Sequence, residues 1–181
     1  KTNFGGTARE GAVGFSIGGK GYIGTGTNGT LQSDFWEYDT TSNVWTQKAS
    51  LLPAREFAAG FSIGTKGYIG TGRDISSTNL LDFWEWDQAL NIWTAKAVFS
   101  GGARWQAVGF SIGGKGYIGT GAATSGNKDD FWEWDQAANA WTQKANYLGG
   151  LRNRATGFSL PSKGYIGTGS NSGFYYKDFW E

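Results

Sequence analysis

Histidine, cysteine and methionine are absent from this chain of 181 residues, and proline occurs only twice. Each absence closes off chemistry. Without Cys or His there is no zinc finger, iron–sulfur cluster, haem axial-ligand pair or cysteine nucleophile. A Ser-His-Asp triad and a histidine pH switch are excluded on the same ground. No apolar run approaches the ~20 residues of a membrane-spanning helix, and no signal-peptide pattern is visible, so membrane insertion is not expected. An excess of one charge is also missing: 16 basic residues stand against 15 acidic ones, a net +1. Such a balance gives no reason to expect nucleic acid as a partner. Asn28, Asp74, Asn127 and Asp129 lack the dense spacing of a calcium loop, and turn chemistry explains them better. The GxG strings have no helix after them, so no phosphate loop is expected. Neither a metal nor a cofactor is anticipated.

Glycine is what the chain has in abundance: 31 residues, with 10 Trp, 8 Tyr and 12 Phe beside them. Ordinary glycine usage is about 7%, and so aromatic a chain folds rather than staying disordered. The glycines fall in a repeat. GFSIGGKGYIGTG at 14–26 returns at 60–72 with one change, at 109–121 unchanged, and at 157–169 as GFSLPSKGYIGTG. DFWE begins at Asp34, Asp82, Asp130 and Asp178, a spacing of 48 each time. D-x-x-x-N-x-W-T begins at Asp39, Asp87 and Asp135. The units are 1–48, 49–96, 97–144 and 145–181, the last incomplete. Lys1 in place of Met reads as a processed chain or a piece of a longer one.

Four short strands are expected per unit. In the first they are a (12–17), b (20–25), c (34–39) and d (44–47), with a Gly18-Gly19 hairpin turn and a c–d turn built on Asp39 and Asn43. Adjacent apolar residues such as Phe35-Trp36 suit a sheet covered on both faces. Four-stranded units at this period, stacked face to face, describe an all-β propeller. Strand b ending in glycines, the Tyr-Asp or Trp-Asp pairs at 38–39, 86–87 and 134–135, and Trp45, Trp93 and Trp141 resemble the kelch repeat. The chain departs from it in carrying Gly24-Thr25-Gly26 where kelch repeats usually have a Gly-Gly doublet. The Tyr-Ile-Gly-Thr-Gly form is similar to kelch arrays of secreted bacterial surface proteins, which implies an extracellular or cell-surface location. The kelch group also includes a copper-radical sugar oxidase, whose His and Cys ligands this chain lacks.

A position filled alike in every unit is most simply structural. Removing such positions leaves Glu10, Glu56, Asp74, Asp129, Arg73, Lys128, Arg154, Lys177, Phe57, Trp105, Phe174, Tyr175 and Tyr176. All lie in the d–a links and b–c loops, which emerge at one end of an up-and-down blade. Loops on a rigid scaffold commonly carry binding residues. Phe57, Trp105, Tyr175 and Tyr176, with Arg73 and Arg154, therefore form a candidate ligand-binding face. The repeated Arg9, Arg55, Arg104 and Arg152 precede strand a. They present either a ring of forks for carboxylate, sulfate or sugar hydroxyls, or buried partners for Glu37, Glu85, Glu133 and Glu181. The second is favoured, because buried charges are normally paired.

Three functions fit. The first is a non-catalytic binding or adhesion propeller holding a glycan or peptide on the d–a/b–c face. The second is a structural segment or assembly unit of a larger surface protein. The third is a carbohydrate-active enzyme of the kelch group, for which only Glu10 and Glu56 lie uniquely near the axis; near-repetition argues against it. Blade 4 lacks strand d and leaves an open edge along Phe179-Trp180, an association hazard. Further blades from a parent chain, or another copy, are expected to complete the ring.

Overall fold

A computed structural model describes residues 1–181 as an all-β protein whose four antiparallel sheets are the blades of a β-propeller. Blade 1 consists of β1 (Val13–Ile17), β2 (Lys20–Gly24), β3 (Phe35–Asp39) and β4 (Val44–Lys48), and blade 2 of β5 (Ala59–Ile63), β6 (Lys66–Gly70), β7 (Phe83–Asp87) and β8 (Ile92–Ala95). In blade 3, β9 (Val108–Ile112) and β10 (Lys115–Gly119) are joined through a small hairpin, β11 (Ala122–Ala123) and β12 (Gly126–Asn127), to β13 (Phe131–Asp135) and β14 (Ala140–Lys144). Blade 4 has three strands: β15 (Thr156–Leu160), β16 (Lys163–Gly167) and, after a hairpin of β17 (Ser170–Asn171) and β18 (Phe174–Tyr175), the short β19 (Phe179–Trp180). The strands β1, β5, β9 and β15 pack in that order around the axis.

The turns have the chemistry their residues dictate. Ile17 pairs with Lys20 across a two-residue turn whose Gly18 lies at φ 58°, a left-handed conformation that glycine adopts without strain. In the c–d turn Asp39 Oδ1 accepts the amides of Thr41 and Ser42 at 2.9 and 3.0 Å, and Asn43 takes φ 59°. Strand b is one residue shorter than expected. Thr25 swings to φ 61° and Gly26 to φ 92°, which takes the chain out of the ladder. A Cβ on Gly26 would stand 2.6 Å from the Glu10 carbonyl, so glycine is required where the b–c loop crosses the d–a link.

The core lies between blades. Phe35 of blade 1 meets Trp86 and Trp93 of blade 2 at ring separations of 5.0 and 5.2 Å. Phe83 meets Trp134 and Trp141 of blade 3 at 4.9 Å each. Nearer the axis, Phe15, Phe61 and Phe110 lie flush on Gly67, Gly116 and Gly164 of the following blade, where any Cβ would come within 2.1 to 2.4 Å of the ring. The two ends of the series are different. Phe158, the fourth member, is 48% exposed, and a Cβ on Gly21 would meet only Tyr38 Cβ at 4.0 Å. Blade 4 therefore does not seat on blade 1 as the other blades seat on one another.

Candidate functional site

The repeated arginines lie beneath the loop-bearing face. The side chains of Arg55, Arg104 and Arg152 are fully buried, and that of Arg9 is 3% exposed. The expected pairing with Glu37, Glu85, Glu133 and Glu181 does not form. Each fork grips the aspartate that opens strand c: Arg9 with Asp34, Arg55 with Asp82 at 2.6 Å twice, Arg104 with Asp130, and Arg152 with Asp178 at 2.6 and 2.8 Å. One nitrogen of each also donates to the left-handed threonine, Thr25, Thr71, Thr120 or Thr168, at 2.9–3.1 Å. The clamp thus ties the exit of strand b to the start of strand c, which accounts for the joint recurrence of Arg, Gly-Thr-Gly and Asp-Phe-Trp. Burial opposes the Asp130 charge, but hydrogen bonds from Arg104 and Trp132 outweigh it and hold the carboxyl below its ordinary pKa. At Asp178 the Arg152 hydrogen bond leads and has the same effect.

The glutamates serve a different neighbourhood, because three residues along strand c carry them to mid-blade. Glu37 receives Lys20 at 2.7 Å, Tyr22 at 2.7 Å and Lys48 at 3.3 Å. Glu133 receives Tyr117 at 2.7 Å and Lys144 at 3.3 Å. Burial and the Glu133 hydrogen bond push the Tyr117 hydroxyl up to about 12.

Above the clamps, the d–a links form a mouth around the axis. The residue two places after each repeated arginine is left-handed: Gly11, Phe57, Gln106 and Arg154, with φ between 51° and 63°. Their backbones join in series, the Phe57 N–H donating to Gly11 O at 2.8 Å, Gln106 N–H to Phe57 O at 2.9 Å and Arg154 N–H to Gln106 O at 3.1 Å. They line a cavity of about 340 Å³ with Ala12, Ala58, Ala107 and Ala155. The backbone is thus nearly identical from blade to blade while the side chains differ.

The side chains at and beside the ring form two groups, one aromatic and charged and one polar. Phe57 and Trp105 stand edge to face at 5.5 Å. The Arg73 guanidinium lies 3.9 Å over the Trp105 ring and pairs with Glu56 at 2.5 Å. The Gln106 amide, with its oxygen towards Arg154, accepts from Nε at 2.8 Å. Of the residues singled out from sequence, Phe57 and Arg154 therefore line the mouth, and Trp105 and Arg73 stack outward from Phe57. Tyr175 lies on the blade 4 hairpin at 86% exposure, and Tyr176 packs 4.3 Å under the Arg152 guanidinium. Gly11 and Gln106 belong to the ring although sequence reasoning passed over them. Aligning the units on the repeated arginine is the signal that finds them. A network of Asn127, Asn153, Ser170 and Asn171 between the two hairpins, with separations of 2.9–3.1 Å, was also missed. Asp74 caps its own loop by accepting the Ser76 and Thr78 amides at 2.9 Å.

No protein-family model matches the chain, and no curated protein does. Among solved structures the chain is similar to that of YjhT, with 14% sequence identity and a TM-score of 0.78 over 93% of this chain. It spans 64% of the length of YjhT. At that identity the likeness shows the β-propeller fold alone.

Proposed function

We propose that this kelch-type propeller is a non-catalytic binding module whose axial mouth, on the d–a/b–c face, holds a glycan or peptide outside the cell or at its surface. The observation that carries this is the ring of Gly11, Phe57, Gln106 and Arg154: four equivalent left-handed backbone positions, three of them held by the unlike non-glycine residues Phe57, Gln106 and Arg154. Positive φ at a non-glycine residue costs of order 1–3 kcal/mol and clusters at ligand sites. Trp105 and Phe57 supply an apolar platform, and Arg154, exposed at the rim, supplies a polar anchor. The four buried arginines support the mouth from below instead of meeting the ligand. An enzymatic role would draw on Glu10 and Glu56, and Glu56 is already committed to Arg73. A glycan and peptide array probed with the protein and with Trp105→Ala tests the reading. Binding lost in the variant, with melting unchanged, supports it. Binding that depends instead on Lys20 or Lys66 at the opposite turns would refute it.

A second reading, a structural or assembly unit completed by further blades or another copy, is supported by the unseated faces of blades 1 and 4. Phe158 and Phe179 are 48% and 62% exposed there. Self-association in light scattering, abolished by Phe158→Ser, is its expected signature.

A further inference from the structure

Ten asparagines are spread along the chain, and nine of them precede a residue that carries a side chain. Asn28 alone precedes glycine. Asn28 and Gly29 form the tip of the b–c loop of blade 1, above the Thr27–Leu31 bridge, and both are exposed. Gly29 takes φ 96°, and a Cβ built on it would meet nothing within 4 Å. The Asn28 Oδ1 accepts the Thr30 N–H at 3.2 Å and the Gln32 side-chain N–H at 3.1 Å, whereas its Nδ2 makes no hydrogen bond within the chain. Two donors on the oxygen draw electron density from Cγ and leave the nitrogen end of the amide free to depart. The Gly29 N–H donates to Thr27 Oγ1 at 3.1 Å, which orients the one backbone nitrogen able to close a five-membered ring with Cγ. With no side chain on Gly29, nothing crowds that approach. Other asparagines differ on both counts. Asn91 and Asn139 each accept an amide of a d–a link, and Ile92 and Ala140 follow them.

We propose that Asn28 is a self-modification site, at which the folded protein converts the Asn28–Gly29 pair to aspartate or isoaspartate with water as the only co-reactant. The Gly29 backbone nitrogen gives its proton to solvent base and attacks Asn28 Cγ. The new N–Cγ bond forms as the Cγ–Nδ2 bond breaks, and Nδ2 leaves as ammonia. Holding nucleophile and carbonyl on adjacent residues makes this an intramolecular step. Water then opens the cyclic imide. Cleavage at Cγ restores the ordinary backbone with a side-chain carboxylate, and cleavage at the main-chain carbonyl leaves an isoaspartyl link that runs through the former side chain. One amide and one water become one carboxylate and one ammonium, with no oxidation or reduction. The product carries a new negative charge on the face that bears the axial mouth. The isoaspartyl form also lengthens the backbone by one methylene inside the loop that Gln32 closes on the Gly26 carbonyl at 2.8 Å. Gly26 in turn donates to the Arg55 carbonyl at 2.7 Å, so the modified loop abuts the d–a link of blade 2.

The test incubates the folded protein in mildly alkaline buffer made with heavy-oxygen water and maps its peptides by mass spectrometry at intervals. Heavy oxygen is expected to enter at Asn28 before any other asparagine, with isoaspartate among the products. The rate should lie within about tenfold, roughly 1.4 kcal/mol of activation, of that for a synthetic peptide copying residues Gly26 to Gln32, because the folded loop leaves the pair open. Gly29→Ala is expected to slow the reaction at least about tenfold, and Asn28→Gln, which keeps the amide but enlarges the ring to be closed, should stop it. First incorporation at a different asparagine would overturn the proposal. So would a folded protein that stays unlabelled while the peptide reacts to completion, or an unchanged rate in Gly29→Ala.

Discussion

The arginine clamp makes a quantitative prediction. Arg104 is fully buried and holds the Asp130 carboxylate through two bonds, the Thr120 carbonyl at 2.9 Å, and the Phe99 ring face at 4.9 Å. Breaking a buried pair by removing one partner costs about 3–5 kcal/mol, because the other charge is stranded. The two halves of this pair are unequal. Asp130 keeps 17% exposure, so after Arg104→Ala the carboxylate still reaches water, and the loss should lie near the lower figure, about 3 kcal/mol. After Asp130→Ala the guanidinium has no water at all, and the loss should approach about 5 kcal/mol. For a chain of this size those losses lower melting by roughly 6–12 and 10–20 °C. Urea unfolding followed by tryptophan fluorescence gives the free energies for a double-mutant cycle. The Arg104/Asp130 pair should couple by more than about 1 kcal/mol, whereas Arg104→Ala with Glu133→Ala should add to within about 0.5 kcal/mol. Coupling of Arg104 to Glu133 in place of Asp130, or unchanged melting in both single variants, would refute the clamp.

Three further outcomes are expected. Gly116→Ala should cost about 1–3 kcal/mol in thermal melts, because its Cβ would lie 2.1 Å from the immobile Phe61 ring and overpacking is destabilising. The equivalent Gly21→Ala has room and should stay within about 0.5 kcal/mol; equal losses at both would mean that blade 4 seats on blade 1 after all. Trp134→Ala, at a fully buried site between blades, should cost about 3–5 kcal/mol, while Trp105→Ala should keep melting within about 2 °C and lose array binding. Stability should be level from pH 9 to pH 6 and fall in acid. Asp34, Asp130, Asp178, Glu37 and Glu133 have folded-state pKa values lowered from 3.8 and 4.5, so their contribution is complete above the unfolded values and is lost as pH falls through the folded ones. A loss centred near pH 6 in a melting series would contradict this, since the chain has no histidine.

Much of the fold is legible in the residues themselves. The four-strand unit, the Gly18-Gly19 hairpin, the turn on Asp39 and Asn43 and the three-stranded last blade all follow from local chemistry repeated every 48 residues. Such features depend only on neighbours in the chain. The concentration of unlike residues in the d–a links and b–c loops was legible too, because near-identical units cancel and leave the differences.

Partner choice was not legible. Asp34 and Glu37 recur with the same period, so repeat arithmetic cannot say which of them meets Arg9. The register decides: strand c begins beside the outgoing Thr25, and the aspartate is level with the arginine while the glutamate is carried on to Tyr22. The division of the candidate site was decided in the same way. Trp105 and Tyr175 both read as exposed loop aromatics, but only the packing of four blades about an axis brings Trp105 to Phe57 and Arg73 and leaves Tyr175 on an outlying hairpin. A local pattern specifies how each strand turns and pairs, whereas distances between residues in different blades are set by how those blades pack, a property of the assembled core.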